Sequence, residues 1–168
     1  VERAAALIAG AKRPLVLTGR GALGAGAELV AFLDASGAVY LDTQESRGLV
    51  PAEHPATIGA MRGRAMQETD LAIVIGRKLD YQTGYGSPAV WPNAHFLRIG
   101  DNAEELRENR RGEVELFAHP ALALAAIARA LPARRQTLDT AWGAALRSEH
   151  LRRAQKYQER AARVGFDW

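Results

Sequence analysis

Three glycines mark where this chain could hold a ligand. Gly19-x-Gly21-x-x-Gly24 follows a short apolar run at residues 15–17 and leads into an alanine-rich helical pattern. At such a junction the first two glycines allow a tight turn and close backbone approach, and the third lets the helix pack tightly on a sheet. The helix N-terminus then offers N–H groups to a phosphate. Arg20, inside the turn, is placed to pair with that phosphate, and Asp42, at the end of the next apolar segment, stands where an acid would hold a ribose hydroxyl. The same glycines would equally serve a strand-to-helix turn that binds nothing, so both readings stand.

Further along, Asp80 and Asp101 follow the ends of apolar segments, with Arg62, Arg77 and Lys78 near them in sequence. Acids at strand ends can bind ribose and bases can bind phosphate, whereas each residue alone also reads as a surface charge or a helix cap. His54, His95, His119 and His150 lie too far apart for a metal site, and His54 and His119 each precede a proline in a turn. Ser36, Ser46, Ser87 and Ser148 lack a nucleophile-elbow context, so a serine hydrolase has no support. No cysteine is present, which excludes disulfides, thiolate ligands and a cysteine nucleophile.

The elements that must position these residues alternate in type. Helical spacing is read over residues 4–11, 24–36 and 120–131, with shorter helices near 65–68 and 102–107. Strands are read at 15–17, 38–41, 70–76, 95–99 and 114–117. The run Asp70-Leu-Ala-Ile-Val-Ile-Gly76 has the continuous apolar character of a central parallel strand buried on both faces. Residues 44–59 and 78–92 read as long ordered loops. The expected fold is α/β: a Rossmann-like, doubly wound, mostly parallel sheet of five or six strands with helices on both faces. Residues 1–135 form that domain. Residues 136–168 read as a linker helix, with Leu138, Trp142 and Leu146 at i, i+4 spacing, that either packs on this domain's flank or docks on a missing C-terminal domain.

At 168 residues and 48% hydrophobic, the chain can build one well-cored domain. The net charge of +3 is uneven: from Arg129 onward nine Lys/Arg face four Asp/Glu. Those arginines are scattered along a helical pattern without aromatic stacking platforms, so a solvated helix face is expected rather than nucleic acid or membrane binding. The absence of cysteine, of an apolar run long enough to span a bilayer and of a signal peptide fits a cytoplasmic protein. The start, opening directly into a helix, reads as truncated.

Several segments in their order resemble the central domain of thiamine diphosphate-dependent enzymes, the family of acetolactate synthase, pyruvate oxidase and benzoylformate decarboxylase. They are Ala11-Lys-Arg-Pro-Leu-Val-Leu-Thr-Gly-Arg-Gly, Arg47-Gly-Leu-Val-Pro-Ala-Glu-His-Pro with Gly59, Asp70 to Asp80, and Pro92-Asn-Ala-His-Phe-Leu-Arg-Ile-Gly-Asp-Asn with Asn109 after it. The resemblance covers residues 1–131. It implies a non-catalytic domain that braces flanking thiamine-binding domains of the same chain and helps a homo-oligomer form. It also implies a decarboxylase, lyase or synthase that uses thiamine diphosphate and Mg2+ bound outside this segment. No Gly-Asp-Gly signature with a following Asn-Asn occurs, and this segment alone is expected to be inactive. Family members hold FAD, an adenine nucleotide such as ADP, or nothing in this domain, at loops matching Gly19, Arg20 and Gly21, Arg62, Arg77 and Asp80, and Gly100, Asp101 and Asn102. Bulky or charged residues around Met61-Arg-Gly-Arg and the Gly100-Asp101-Asn102 sequence depart from the flavin pattern and point to a vestigial or structural nucleotide fold. The alternative is a free-standing NAD(P)- or adenine-nucleotide-binding module, which rests on the glycines and Asp42.

Overall fold

The computed structural model describes residues 1–133 and 137–163, and of Gln44 the backbone alone. Five strands run parallel in one sheet: β1 (Pro14–Thr18), β2 (Val39–Leu41), β3 (Leu71–Ile75), β4 (His95–Gly100) and β5 (Val114–Phe117), in the order β2-β1-β3-β4-β5. The register places Val16 beside both Tyr40 and Ile73, and Ile73 beside Leu97. β1 and β3 are buried along their whole length, as their unbroken apolar sequences require for central strands.

Because successive strand side chains point to opposite faces, each strand feeds two cores. Val16, Ile73 and Leu97 pack with α1 (Glu2–Gly10), α2 (Gly26–Ser36) and α5 (Pro120–Ala130), through Ile8, Phe32 and Leu124. Leu15, Leu17, Val74 and Phe96 pack on the other face against α3 (Arg62–Glu68), the loop carrying Leu79 and Trp91, and α6 (Thr140–Arg163). A fourth connection, α4 (Ala103–Arg107), is a single short helix after β4. Pro120 opens α5, and Gly37, with φ +62°, ends α2 in the left-handed conformation that glycine adopts without strain.

The expected strands all form, and the sheet is five-stranded and wholly parallel. The 78–92 loop is held on the sheet by Trp91, whose indole N–H donates to the Thr83 carbonyl at 2.8 Å and whose ring meets Phe96 edge-on at 5.4 Å.

α6 divides in two. Asp139 accepts from the Trp142 N–H at 3.1 Å, capping the start, and also pairs with Arg13 at 3.0 Å. Trp142 and Leu146 are buried in the second core, and the Trp142 indole donates to Glu68 at 2.8 Å. Burial alone would raise the Glu68 carboxyl, but the hydrogen bonds from Arg64 and Trp142 outweigh it and hold the group below its usual range. Leu138 lies ahead of the helix, its side chain against Gly37. Beyond His150 the helix is almost wholly solvated, with Leu151 and Tyr157 exposed. The expected helix limits at 136 and 168, and the expected boundary between 135 and 136, involve residues outside those described.

Candidate functional site

The sheet order places its reversal between β1 and β3, because the chain moves outward from β1 to β2 and then back past it to β3. In open α/β sheets ligands settle outside the carboxyl ends of the strands at such a point. Here the loops after β1, β3 and β4 converge.

Glycines bring those loops together. Gly76 has φ +53°, and a Cβ there would fall 2.4 Å from the Gly21 carbonyl carbon. A Cβ on Gly19 would sit 2.6 Å from the Gly76 oxygen, and one on Gly21 would sit 2.8 Å from the Gly76 Cα. The contact is backbone on backbone. It also uses the N–H groups of the turn: Gly19 donates to Ile75 at 3.1 Å and Gly21 to Gly76 at 3.0 Å, while Ala22 and Leu23 close a 3-10 turn at 3.0 Å each.

Two expectations are corrected by this geometry. α2 begins only at Gly26, where the Leu49 carbonyl lies close to the backbone, so its N-terminus does not directly follow the glycine turn. Gly24 has φ +85° with open space around a Cβ, so it serves the backbone conformation and not tight helix-on-sheet packing.

Beyond the glycines lie two adjoining hollows of about 190 and 270 Å³, with Arg20, Gly76, Arg77 and Glu105 on both linings. Gly100, Asp101 and Asn102 line the first, and Lys78, Asp80 and Glu45 the second. Arg20 pairs with Glu45 at 2.8 Å and Lys78 with Glu108 at 3.2 Å, both on exposed side chains that can exchange partners at little cost. Arg77 is different. It is buried, one terminal nitrogen donates to both Asp80 carboxylate oxygens at 3.1 Å and to Gln82 Oε1 at 2.9 Å, and its buried Nε has no hydrogen-bond partner among the described residues. An unsatisfied donor on a buried cation is costly, and this one lies beneath the lining and not on it.

Arg62 lines neither hollow; its guanidinium donates to the Gln82 carbonyl, which ties it to the Arg77 network from behind. Asn102 caps α4, accepting from the Glu104 and Glu105 N–H groups at 3.0 and 3.2 Å, and Asp101 is exposed at the rim. Sequence reasoning missed Gln82, Glu105 and Arg98. The signal for Gln82 was the Asp80-x-Gln82 spacing, since Asp80 accepts the Gln82 N–H at 2.9 Å in an Asx turn. Arg98, fully buried on β4, donates to the carbonyls of Glu105, Glu108 and Arg110 and thereby shapes the loop after α4. Burial pushes its guanidinium below the usual arginine range.

Asp42 is not part of this crevice. It lines a separate cavity beside β2 and meets Arg47 at 3.6 Å. Three of the four histidines accept a backbone N–H: His54 from Ala56, His119 from Ala121 and His150 from Ala60. Among the described residues no group of three or more His, Asp or Glu could hold a metal ion, and no helix is long and apolar enough to cross a membrane.

Comparison with known proteins adds the wider setting. The model of the family "Thiamine pyrophosphate enzyme, central domain" matches residues 1–127. The chain is 34% identical over 119 residues to human 2-hydroxyacyl-CoA lyase 1, covering 69% of this chain and 21% of the lyase. It is 24% identical over 162 residues to oxalyl-CoA decarboxylase of Escherichia coli K12, covering 95% of this chain and 29% of the decarboxylase. A solved structure of a candidate thiamin diphosphate-dependent enzyme from Mycobacterium smegmatis superposes with a TM-score of 0.66 at 18% identity, over 81% of this chain and 28% of that one, which shows a shared fold.

Proposed function

Because the chain belongs to the thiamine pyrophosphate enzyme central-domain family, we propose that it braces the catalytic domains of a thiamine diphosphate-dependent lyase acting on acyl-CoA substrates. We propose further that it carries an adenine-nucleotide site at the β1, β3 and β4 strand ends. The lyase reading is supported by the 34% identity to a 2-hydroxyacyl-CoA lyase, and the acyl-CoA class also by the likeness to oxalyl-CoA decarboxylase. The chain spans 21% of the length of that lyase, so carbon–carbon cleavage belongs to residues outside it. The bracing role is supported by the solvated second half of α6, where Leu151 and Tyr157 offer apolar surface to a flanking domain or a second subunit.

The observation that carries the nucleotide reading is the convergence of three cations, Arg20, Arg77 and Lys78, on the linings of the two strand-end hollows. The two hollows together lie in the lower part of the small-ligand pocket range, which starts at roughly 300 Å³, and this suits ADP better than the much larger FAD. A diphosphate would exchange with Glu45 on Arg20 and lie against Arg77, and Asp101 or Glu105 would accept from ribose hydroxyls. NAD(P) is less well matched, because Asp42, the acid that would hold its ribose, faces a different cavity.

Calorimetric titration of the chain with ADP, FAD and NAD tests this, alongside mass spectrometry of any ligand released on denaturation. Saturable ADP binding that exceeds FAD and NAD is expected. Absence of ADP binding at millimolar concentration would leave a purely structural domain, and preference for NAD would overturn the assignment.

A further inference from the structure

We propose that the cavity beside β2 is a second binding site, for a small carboxylate bearing a hydrogen-bond donor on its α-carbon and an apolar tail. The cavity has a volume of about 600 Å³, the size of small-molecule sites, and shares no lining residue with the strand-end crevice. Its walls are the end of β2, the 47–60 loop and α6.

The frame is fixed by side chains of α6. Arg147 donates to the carbonyls of Glu53 at 2.9 Å, His54 at 2.6 Å and Thr57 at 3.3 Å, and Tyr40 of β2 donates to the Ala56 carbonyl at 2.7 Å and accepts from the Ile58 N–H at 3.2 Å, so the path of the loop is fixed from both sides. One turn on, His150 Nδ1 accepts the Ala60 N–H at 3.3 Å. That bond requires the neutral tautomer with its proton on Nε2, which makes the ring a donor on the cavity lining. The ring lies over Gly59, where φ is +49° and a Cβ would fall 2.3 Å from Cε1, so this placement depends on a glycine.

The functional groups on the lining are complementary to one kind of molecule. Arg47 and His150 are donors and suit a carboxylate, whereas Asp42 is an acceptor at the end of β2. Asp42 and Arg47 form an ion pair at 3.6 Å, beyond hydrogen-bond length, and the Arg47 side chain is mostly exposed, so a ligand carboxylate can take over Arg47 at little cost while its donor turns to Asp42. Tyr40, Val50 and Pro51 supply apolar surface for a tail. An α-hydroxyl or an α-ammonium group would donate to Asp42 equally well in geometry, and the two differ in charge.

Binding of L-phenylalanine, L-3-phenyllactate and 3-phenylpropanoate to the chain separates these chemistries, since the three share tail and carboxylate and differ at the α-carbon. At least one of the first two is expected to bind about tenfold or more tighter than 3-phenylpropanoate. Preference for phenylalanine identifies an α-amino acid, and preference for phenyllactate an α-hydroxy acid. Asp42→Asn is expected to erase the preference, and Arg47→Gln to weaken all three ligands. Equal binding of the three, binding unaffected by Asp42→Asn, or no binding at concentrations on the order of 10 mM would overturn the proposal.

Discussion

The strand-end crevice and the cavity beside β2 are built on opposite principles. At the crevice, Gly19, Gly21 and Gly76 let two loops touch through their backbones, and the N–H groups of Gly19 and Gly21 are spent on that contact. In the proposed nucleotide site, recognition falls to the side chains of Arg20, Arg77 and Lys78 on the lining. Beside β2, side chains of α6 and backbone bonds to Tyr40 fix the path of the 47–60 loop, and Asp42, Arg47 and His150 line the space left open. A glycine-rich turn after a strand therefore reports first on how closely two loops approach, and only secondarily on a phosphate.

Substitutions at the glycines challenge this contrast most strongly. Gly76→Ala must move backbone atoms at a positive φ, and a loss of about 4 kcal/mol in urea unfolding is expected. Gly24→Ala bears only the conformational strain, and about 1 kcal/mol is expected; equal losses at both positions would remove the distinction between a packed and a merely bent turn. The α6 side is probed by Trp142→Ala, which empties part of the second core and breaks the bond to Glu68, at an expected cost of about 3 kcal/mol. Arg147→Met leaves three loop carbonyls without their donor, with about 2 kcal/mol expected. Tyr157→Ala, on the solvated half of the same helix, should stay within about 0.5 kcal/mol in the isolated chain.

A pH-dependent effect lies outside both regions. The Arg111 guanidinium and the Gly112 N–H hold the Glu115 carboxyl down at about 2, below its ordinary 4.5. A carboxylate whose pKa is depressed by folding stabilises the folded state above its unfolded value and loses that contribution as pH falls. The stability advantage of the native chain over Glu115→Gln should therefore be present at pH 5 and fade between pH 4.5 and about 2. An advantage that persisted below that window would contradict the assigned bond.

Much of the fold was legible because its signals are local. The unbroken run from Leu71 to Ile75 has one physical explanation, burial on both faces, and the structure places it at the centre of the sheet. Trp142 and Leu146, spaced for one helix face, do point into a core, and Leu138 of the same series packs ahead of the helix because Asp139 sets its start. The site was legible only in part. Arg77, Asp80 and Asp101 do converge at strand ends, but Arg62 reaches them only through Gln82, and Asp42 belongs elsewhere. Those outcomes depend on the paths of the 78–92 and 47–60 loops, and both paths are set by tertiary contacts. Trp91 is pinned by Phe96 and the Thr83 carbonyl, and the 53–57 carbonyls by an arginine some ninety positions later in the sequence. Arg98 could not be found from its apolar strand, since its partners are backbone carbonyls with no sequence signature.

The most direct test is the affinity for ADP of the native chain against Arg77→Lys, which keeps the charge but loses the planar guanidinium, with unfolding curves recorded for both. The account predicts at least a tenfold weaker affinity for a variant that remains folded. Unchanged ADP affinity in a folded Arg77→Lys chain would contradict it and return recognition at the crevice to the glycine turn.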